Sequence, residues 1–329
     1  MRNIWLPESF QGKNKKRNYF EGWYFKHSAG LAGGVWSFIP GIALGPDGEG
    51  YSFVQVIEGR TGRSWWFQYP RDAFSAAEKG LEVRVGDNTF SSRGLHVKLG
   101  DASTSIEAEL QYGPFSQHSF PFWSPGIMGP FTFMPGMECN HGLVSMDHVV
   151  EGFVKIDGQT TIFTQGRGYI EKDWGKSMPE AWIWTQSNDF PMRGDSLMLS
   201  VAKIPFMGTA FRGFLCTAAL GGRKYLFTTY NGSRIQKIAL SDSEIFFHIT
   251  RKVNYGSTVD LEILATRTRG GILRAPVSGL LSRRISEAVD ASLRVRLKVP
   301  QERDYEAEAK LASLEIVGDL STLGIIESI

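Results

Sequence analysis

Leu293-Arg294-Val295-Arg296-Leu297-Lys298-Val299 alternates apolar and charged side chains without a break. A period of two puts one set of side chains on each side of a strand, so this stretch reads as β with one face buried. The same alternation recurs at Leu81-Glu82-Val83-Arg84-Val85, Ser105-Ile106-Glu107-Ala108-Glu109-Leu110 and Val259-Asp260-Leu261-Glu262-Ile263-Leu264. Turn signals separate such stretches: Gly45-Pro46-Asp47-Gly48, Gly86-Asp87-Asn88, Asp157-Gly158, Gly221-Gly222 and Asn231-Gly232. Many short strands joined by tight turns predict a meandering antiparallel, all-β architecture.

Few helices are expected. Ser278 to Ser292 offers Leu281, Ile285, Ala288 and Val289 at helical spacing, and Ser75 to Lys79 suggests one helical turn. Gln301 to Glu308 is charged and reads as a solvated connection before a strand at Leu311 to Val317.

Composition narrows the class. The chain has 329 residues, 42% hydrophobic, with 36 basic against 34 acidic residues and a net charge of +2. That balance argues against general nucleic-acid binding. Nine Trp and twenty-two Phe accompany 37 Gly, which suits strands that pack aromatics and bend at glycine. Two cysteines, Cys139 and Cys216, favour a reducing, cytoplasmic setting. The first residues lack the apolar run of a signal peptide, and no stretch approaches the roughly 20 apolar residues of a membrane-spanning helix.

Glu21-Gly22-Trp23-Tyr24-Phe25 is echoed by Glu180-Ala181-Trp182-Ile183-Trp184. If both open a barrel, the chain divides into domains at 1–174 and 175–329. The first segment, Tyr19 to Lys26, puts Glu21, Trp23, Phe25 and His27 on one strand face and Phe20, Tyr24 and Lys26 on the other. Trp23 is then either a barrel plug or a wall of a ligand site.

Two further segments carry polar groups among aromatics. Gly129 to Gly152 holds Glu138, Cys139, His141, Asp147 and His148, a set with no standard metal spacing, so no metal is expected. His148 reads as a core histidine, with a cavity role as the rival. In Gly166 to Phe190, alternation aligns Glu180, Trp182, Trp184, Gln186 and Asn188, a fitting lining for an apolar molecule with a polar end. Glu171, Lys172, Asp173 and Trp174 stand just upstream.

Taken in order, FEGWYFK, YIEKDWG with PEAWIWTQSN, Leu273-Arg274-Ala275-Pro276 and Ala312-Ser313-Leu314-Glu315-Ile316 resemble the tocopherol cyclase family. The resemblance spans nearly the whole chain. It departs from the plant pattern after Ile316, where Val317-Gly318-Asp319 replaces a glycine-rich ending, and the chain is shorter than the plant enzymes. It implies two lipocalin-like antiparallel β-barrels and cyclisation of a prenylated hydroquinone, without redox cofactor. Protonating an alkene needs a carboxyl group kept neutral by an apolar site. On that basis Glu180, Asp173 or Glu171 is the expected acid. Trp23, Tyr24, Glu138, His148, Trp174, Trp182, Trp184, Gln186 and Asn188 are the expected substrate contacts. Indole faces would stabilise the cation by roughly 0.5–2 kcal/mol each. The rival readings are a non-catalytic carrier of a prenyl lipid or pigment, and a hydratase. The basic run Lys13, Lys15, Lys16 and Arg17 reads as a solvated segment, with contact to anionic lipid headgroups at a membrane surface as the alternative. Oligomeric state is not legible.

Overall fold

A computed structural model describes residues 4–328 apart from 135, 207, 254, 255 and 325. The structure is almost entirely β. It divides into two units, Met1–Met178 with Ile272–Ile285, and Pro179–Gly271 with Ser286–Ile329.

In the first unit, strands β1 (Tyr19–Ser28), β2 (Val35–Leu44), β3 (Gly50–Glu58) and β4 (Ser64–Pro70) form a meander. Short strands β5 (Phe74–Ala76), β6 (Glu82–Val85), β7 (Asn88–Ser91), β8 (Gly94–Gly100) and β9 (Ser105–Tyr112) follow. Two long strands, β10 (Cys139–Ile156) and β11 (Gln159–Gly175), then bring the chain back against β1. The sheet runs β4-β3-β2-β1-β11-β10-β9-β8-β7-β6-β5. It curls around one core, in which Trp23, Phe25, Phe38, Phe90 and Ile170 are fully buried. The alternation drives this: odd-numbered residues of β1 face the core, even-numbered ones face outward.

The second unit repeats the plan. Its strands are β12 (Trp182–Ser187), β13 (Ser196–Phe206), β14 (Thr209–Leu220), β15 (Arg223–Thr228), β16 (Arg234–Leu240), β17 (Glu244–Lys252) and β18 (Thr258–Thr266). β19 (Gly271–Val277) and the first residues of β20 (Leu280–Lys298) lie with the first unit, and the rest of β20 with β21 (Tyr305–Val317) and β22 (Ile326–Ser328) completes the second. As β1 pairs with β11, so β12 pairs with β21, around a core that includes Ile183, Leu199, Phe247, Ile263 and Leu293.

Three local expectations change. Ser278 to Ser292 is not helical but lies largely in β20, paired with β18 and β21. Leu281, Ile285 and Val289 are four apart, a spacing that fits one strand face as well as a helix, and only Ala288 departs from it, next to the register shift between Ala288 and Ala291. Ser75 opens no helical turn, because Phe74–Ala76 pairs with Val83–Val85. The charged connection is shorter than expected, since β21 begins at Tyr305. Glu306 and Glu308 stand opposite Arg296 and Arg294 on its exposed side.

The sequence echo also resolves differently in the two units. Trp23 points into its barrel, whereas Ala181, just before β12, and Ile183 within it join the core, so Trp182 and Trp184 face the other way. The topology is duplicated; the phase of the tryptophans is not.

Leu273-Arg274-Ala275-Pro276 lies with the first unit. Gln55 pins it: Gln55 Oε1 accepts from the Arg274 amide at 2.8 Å, and Gln55 Nε2 donates to the Arg274 carbonyl at 3.1 Å. The guanidinium stacks 4.5 Å above the Trp66 ring, which lies on Phe53. Among the described residues, no helix is long and apolar enough to cross a membrane.

Candidate functional site

Strand β11 carries polar groups on both faces in its last turns of alternation. Toward the barrel interior, Lys172 meets Glu21 at 2.6 Å with neither side chain exposed. Its ammonium lies 4.9 Å from the Trp23 ring and 4.6 Å from that of Trp174. Glu21 also accepts from the Tyr19 hydroxyl and the Gln11 amide. Burial lowers the Lys172 pKa, while Glu21 opposes that fall. Trp23 is fully buried, donates its indole N–H to the Glu8 carbonyl at 3.0 Å and packs on Phe10 and Phe74. That arrangement fits a plug closing one barrel end.

The opposite face of the same strand holds a different set. Tyr169, Glu171 and Asp173 alternate along β11, and pairing places His141 of β10 opposite Asp173 and Tyr24 of β1 opposite Glu171. His141 Nδ1 lies 2.9 Å from Asp173 Oδ1, and its Nε2 lies 3.4 Å from Glu171 Oε2. The Tyr169 hydroxyl donates to Glu171, and Ser37 donates to the Tyr24 hydroxyl at 3.0 Å. Although these residues face away from the barrel core, Tyr169, Tyr24 and Glu171 are buried, while the Asp173 side chain remains 25% exposed.

Electrostatics follow from this crowding. Burial opposes charge on His141, but Glu171 and Asp173 together outweigh it and raise its pKa to about 9. The imidazole is therefore cationic at neutral pH, held between two carboxylates. Burial, and then Glu171, raise the Tyr169 pKa well above its ordinary value, so that side chain is a neutral donor. Burial and Asp173 likewise raise Cys139, which stays a thiol, 3.9 Å from Asp173. One nitrogen of His141 and one oxygen each of Glu171 and Asp173 lie within 4.8 Å of one another. Those are ordinary ligand types, so the three side chains that hold a proton here are also the ones that would hold a divalent cation.

The expected site residues thus separate into four places. Glu171, Asp173 and Tyr24 come together around His141, with Glu138 next to Cys139 at the strand start. Trp23 and Trp174 flank Lys172 on the interior face. His148 is inside the barrel, where burial lowers its pKa to about 3; Ser145 Oγ is 2.9 Å from its Nδ1. Glu180, Trp182, Trp184, Gln186 and Asn188 belong to the second unit. There Glu180 pairs with Lys203 at 2.6 Å, and its side chain is 73% exposed. Trp182 donates to Glu315 at 2.6 Å, and Trp184, Gln186 and Asn188 are buried. The strand covers only Trp182–Ser187, so Glu180 and Asn188 lie beyond its ends.

Sequence reasoning passed over Tyr169, and weighed His141 only as a metal ligand. Tyr169-Ile170-Glu171-Lys172-Asp173 does carry the signal for a shared face in its alternation. The partnership with His141 came only from the pairing of β10 with β11.

Comparison with known proteins agrees with the fold. A family model described as tocopherol cyclase-like matches residues 126–318, more than half of the chain. No curated protein sequence matches. Among solved structures, an AttH protein from Nitrosomonas europaea is 14% identical, with 92% of this chain and 93% of that one covered and a TM-score of 0.50. CghA is 9% identical, with coverage of 92% and 88% and a TM-score of 0.54. Kievitone hydratase from Nectria haematococca is 10% identical, with coverage of 91% and 89% and a TM-score of 0.45. At such identities the likeness is one of fold, a lipocalin-like one with a near-closed 11-stranded barrel and a second sheet.

Proposed function

The chain belongs to the tocopherol cyclase-like family, and from that premise we propose that it cyclises a prenylated hydroquinone or similar isoprenoid phenol by protonating an alkene, with Asp173 as the acid. The observation that carries this reading is the contiguous chain Tyr169–Glu171–His141–Asp173, buried at Tyr169 and Glu171 and open to solvent at Asp173. Glu171 is fixed by Tyr169 and holds one side of the imidazole. Asp173, on the other side, is the more exposed carboxylate and the one a substrate can reach.

At rest the cluster stores a proton on His141. An apolar substrate that displaces water penalises the imidazolium–carboxylate pair relative to its neutral form. The proton then crosses the 2.9 Å from Nδ1 to Asp173 Oδ1, giving a carboxylic acid in a dry setting. It adds to the less substituted alkene carbon and leaves a tertiary cation beside two carboxylates. The phenol oxygen forms the C–O bond, and its proton returns to Asp173. No atom is gained or lost.

The test is incubation with a panel of prenylated hydroquinones, followed by mass spectrometry. A product of unchanged mass and altered retention, lost by at least 100-fold in Asp173→Asn and retained in Glu180→Gln, is expected for general-acid catalysis. Product heavier by one water would mean hydration instead. Tight retention of unmodified lipid by every variant would make the chain a carrier.

A further inference from the structure

From Gly113 to Met137 the chain carries no Asp, Glu, Lys or Arg, yet it runs through the long connection between β9 and β10. Connections of this length without strands are uncommon and are usually functional. Phe115 packs inward on His148, but three other aromatics of the loop turn outward. Phe122 is 74% exposed, Trp123 77% and Phe133 53%, and Trp5, from the leading segment, is 45% exposed. Trp5, Phe122 and Phe133 form one patch, with Trp123 next in the chain: Trp5 stacks on Phe122 at 5.1 Å, meets Phe133 edge-on at 6.4 Å, and donates its indole N–H to the Phe122 carbonyl.

Beside the patch lies a basic run. Lys13, Lys15, Lys16 and Arg17 are all exposed. Lys13 pairs with Glu78 and Lys15 stands over the Tyr19 ring, so Lys16 and Arg17 contribute most to the outward charge. Lys15 and the loop residues Thr132, Met134 and Met137 line the same cleft, which reaches Trp174. At about 130 Å³ that cleft is well below the roughly 300–1,000 Å³ of small-molecule pockets, so it marks where the two segments adjoin and is no substrate pocket.

We propose that this aromatic loop and the basic run together dock the protein on an anionic lipid surface. Trp and Phe at the headgroup level with Lys and Arg alongside is the combination that holds proteins at such interfaces. The basic residues complement anionic headgroups, which selects a lipid surface over a neutral protein partner. This inference does not depend on the cyclase reading.

The experiment is co-sedimentation of the full chain with vesicles of phosphatidylglycerol and phosphatidylcholine, and with phosphatidylcholine alone. Quenching of tryptophan fluorescence by brominated lipid is read in parallel. Binding to the anionic vesicles, weakened at least ten-fold by Phe122→Ser with Trp123→Ser, is expected. Lys16→Glu with Arg17→Glu, or high salt, should also weaken it. All four substituted positions are exposed, and circular dichroism checks that each variant is folded. No binding at low salt would overturn the proposal. So would binding unchanged by the aromatic variant, or a dimer in solution that the aromatic variant dissociates.

Discussion

The Glu21 carboxylate and the Lys172 ammonium meet at 2.6 Å on the interior face of the first unit, both wholly withdrawn from solvent, with indole rings beside the ammonium. Taking two charges out of water is costly, and the pair offsets that cost only while both members are present. The hydroxyl of Tyr19 and the amide of Gln11 complete the shell of Glu21, tying the leading segment to the barrel.

Removing one member leaves the other charged and buried. Lys172→Met should therefore destabilise by about 3–5 kcal/mol, and Glu21→Gln by a similar amount. Lys172→Met combined with Glu21→Leu should recover most of the loss. Urea denaturation of the three variants measures this. A double variant no better than either single one would mean that the hydrogen bonds to Glu21, not the charge pair, hold this face.

The two faces of β11 carry opposite pKa logic, and the outer one gives a pH prediction. His141 is raised from 6.5 to about 9 by Glu171 and Asp173 against the effect of burial. Its contribution to stability is complete below pH 6.5 and disappears as pH rises through 9. Glu171→Gln removes one of the two carboxylates, so the imidazole pKa should fall. The alkaline limb of the rate profile should move to lower pH with it. NMR titration of His141 and the pH–rate profile check the two halves separately. A limb that stays in place while the imidazole shifts would show that the proton is not drawn from His141.

Much of this was legible in the strand pattern, and what was not has identifiable causes. Tyr169, Glu171 and Asp173 share a face by simple alternation, and so do Glu21, Trp23 and Phe25. Position relative to the core is the part that alternation does not supply. Two tryptophan motifs of similar pattern, around Trp23 and Trp182, land on opposite faces because one strand enters its sheet a residue out of phase. Spacing by four along Leu281, Ile285 and Val289 fits helix and strand alike, and register shifts between Leu143 and His148 hide which residues of β10 look inward. The partnership of His141 with Asp173 spans 32 residues of chain and rests on strand pairing, which no local pattern encodes.

Inside the first barrel His148 behaves in the opposite sense to His141. Burial lowers its pKa to about 3, and His27 nearby is lowered as well, by burial and then by His148. The unfolded chain takes up protons below pH 6.5 that the folded chain refuses until about pH 3, so stability is lost as pH falls through that window. At about 1.4 kcal/mol per unit, the fall from 6.5 to about 3 is on the order of several kcal/mol. His148→Gln should move the acid-unfolding midpoint to lower pH, as followed by tryptophan fluorescence. An unchanged midpoint would place the acid sensitivity elsewhere.

The last prediction concerns a glycine that makes room for this histidine. A Cβ built on Gly168 would lie 2.1 Å from His148 Nε2 and 2.6 Å from its Cε1, a distance no real contact tolerates. The ring has nowhere to retreat. Tyr112 packs edge-on at 4.7 Å and Phe115 at 4.8 Å, while Ser145 holds the far nitrogen. Overpacking of this kind costs about 1–3 kcal/mol or more. Gly168→Ala should therefore lower the melting temperature by several degrees, and adding His148→Ala should restore much of it. The glycine sits on the interior face of β11, next in alternation to Ile170 and Lys172, so the variant probes the barrel without touching Asp173. If Gly168→Ala alone melts like the parent protein, the His148 ring is not held against β11 as described.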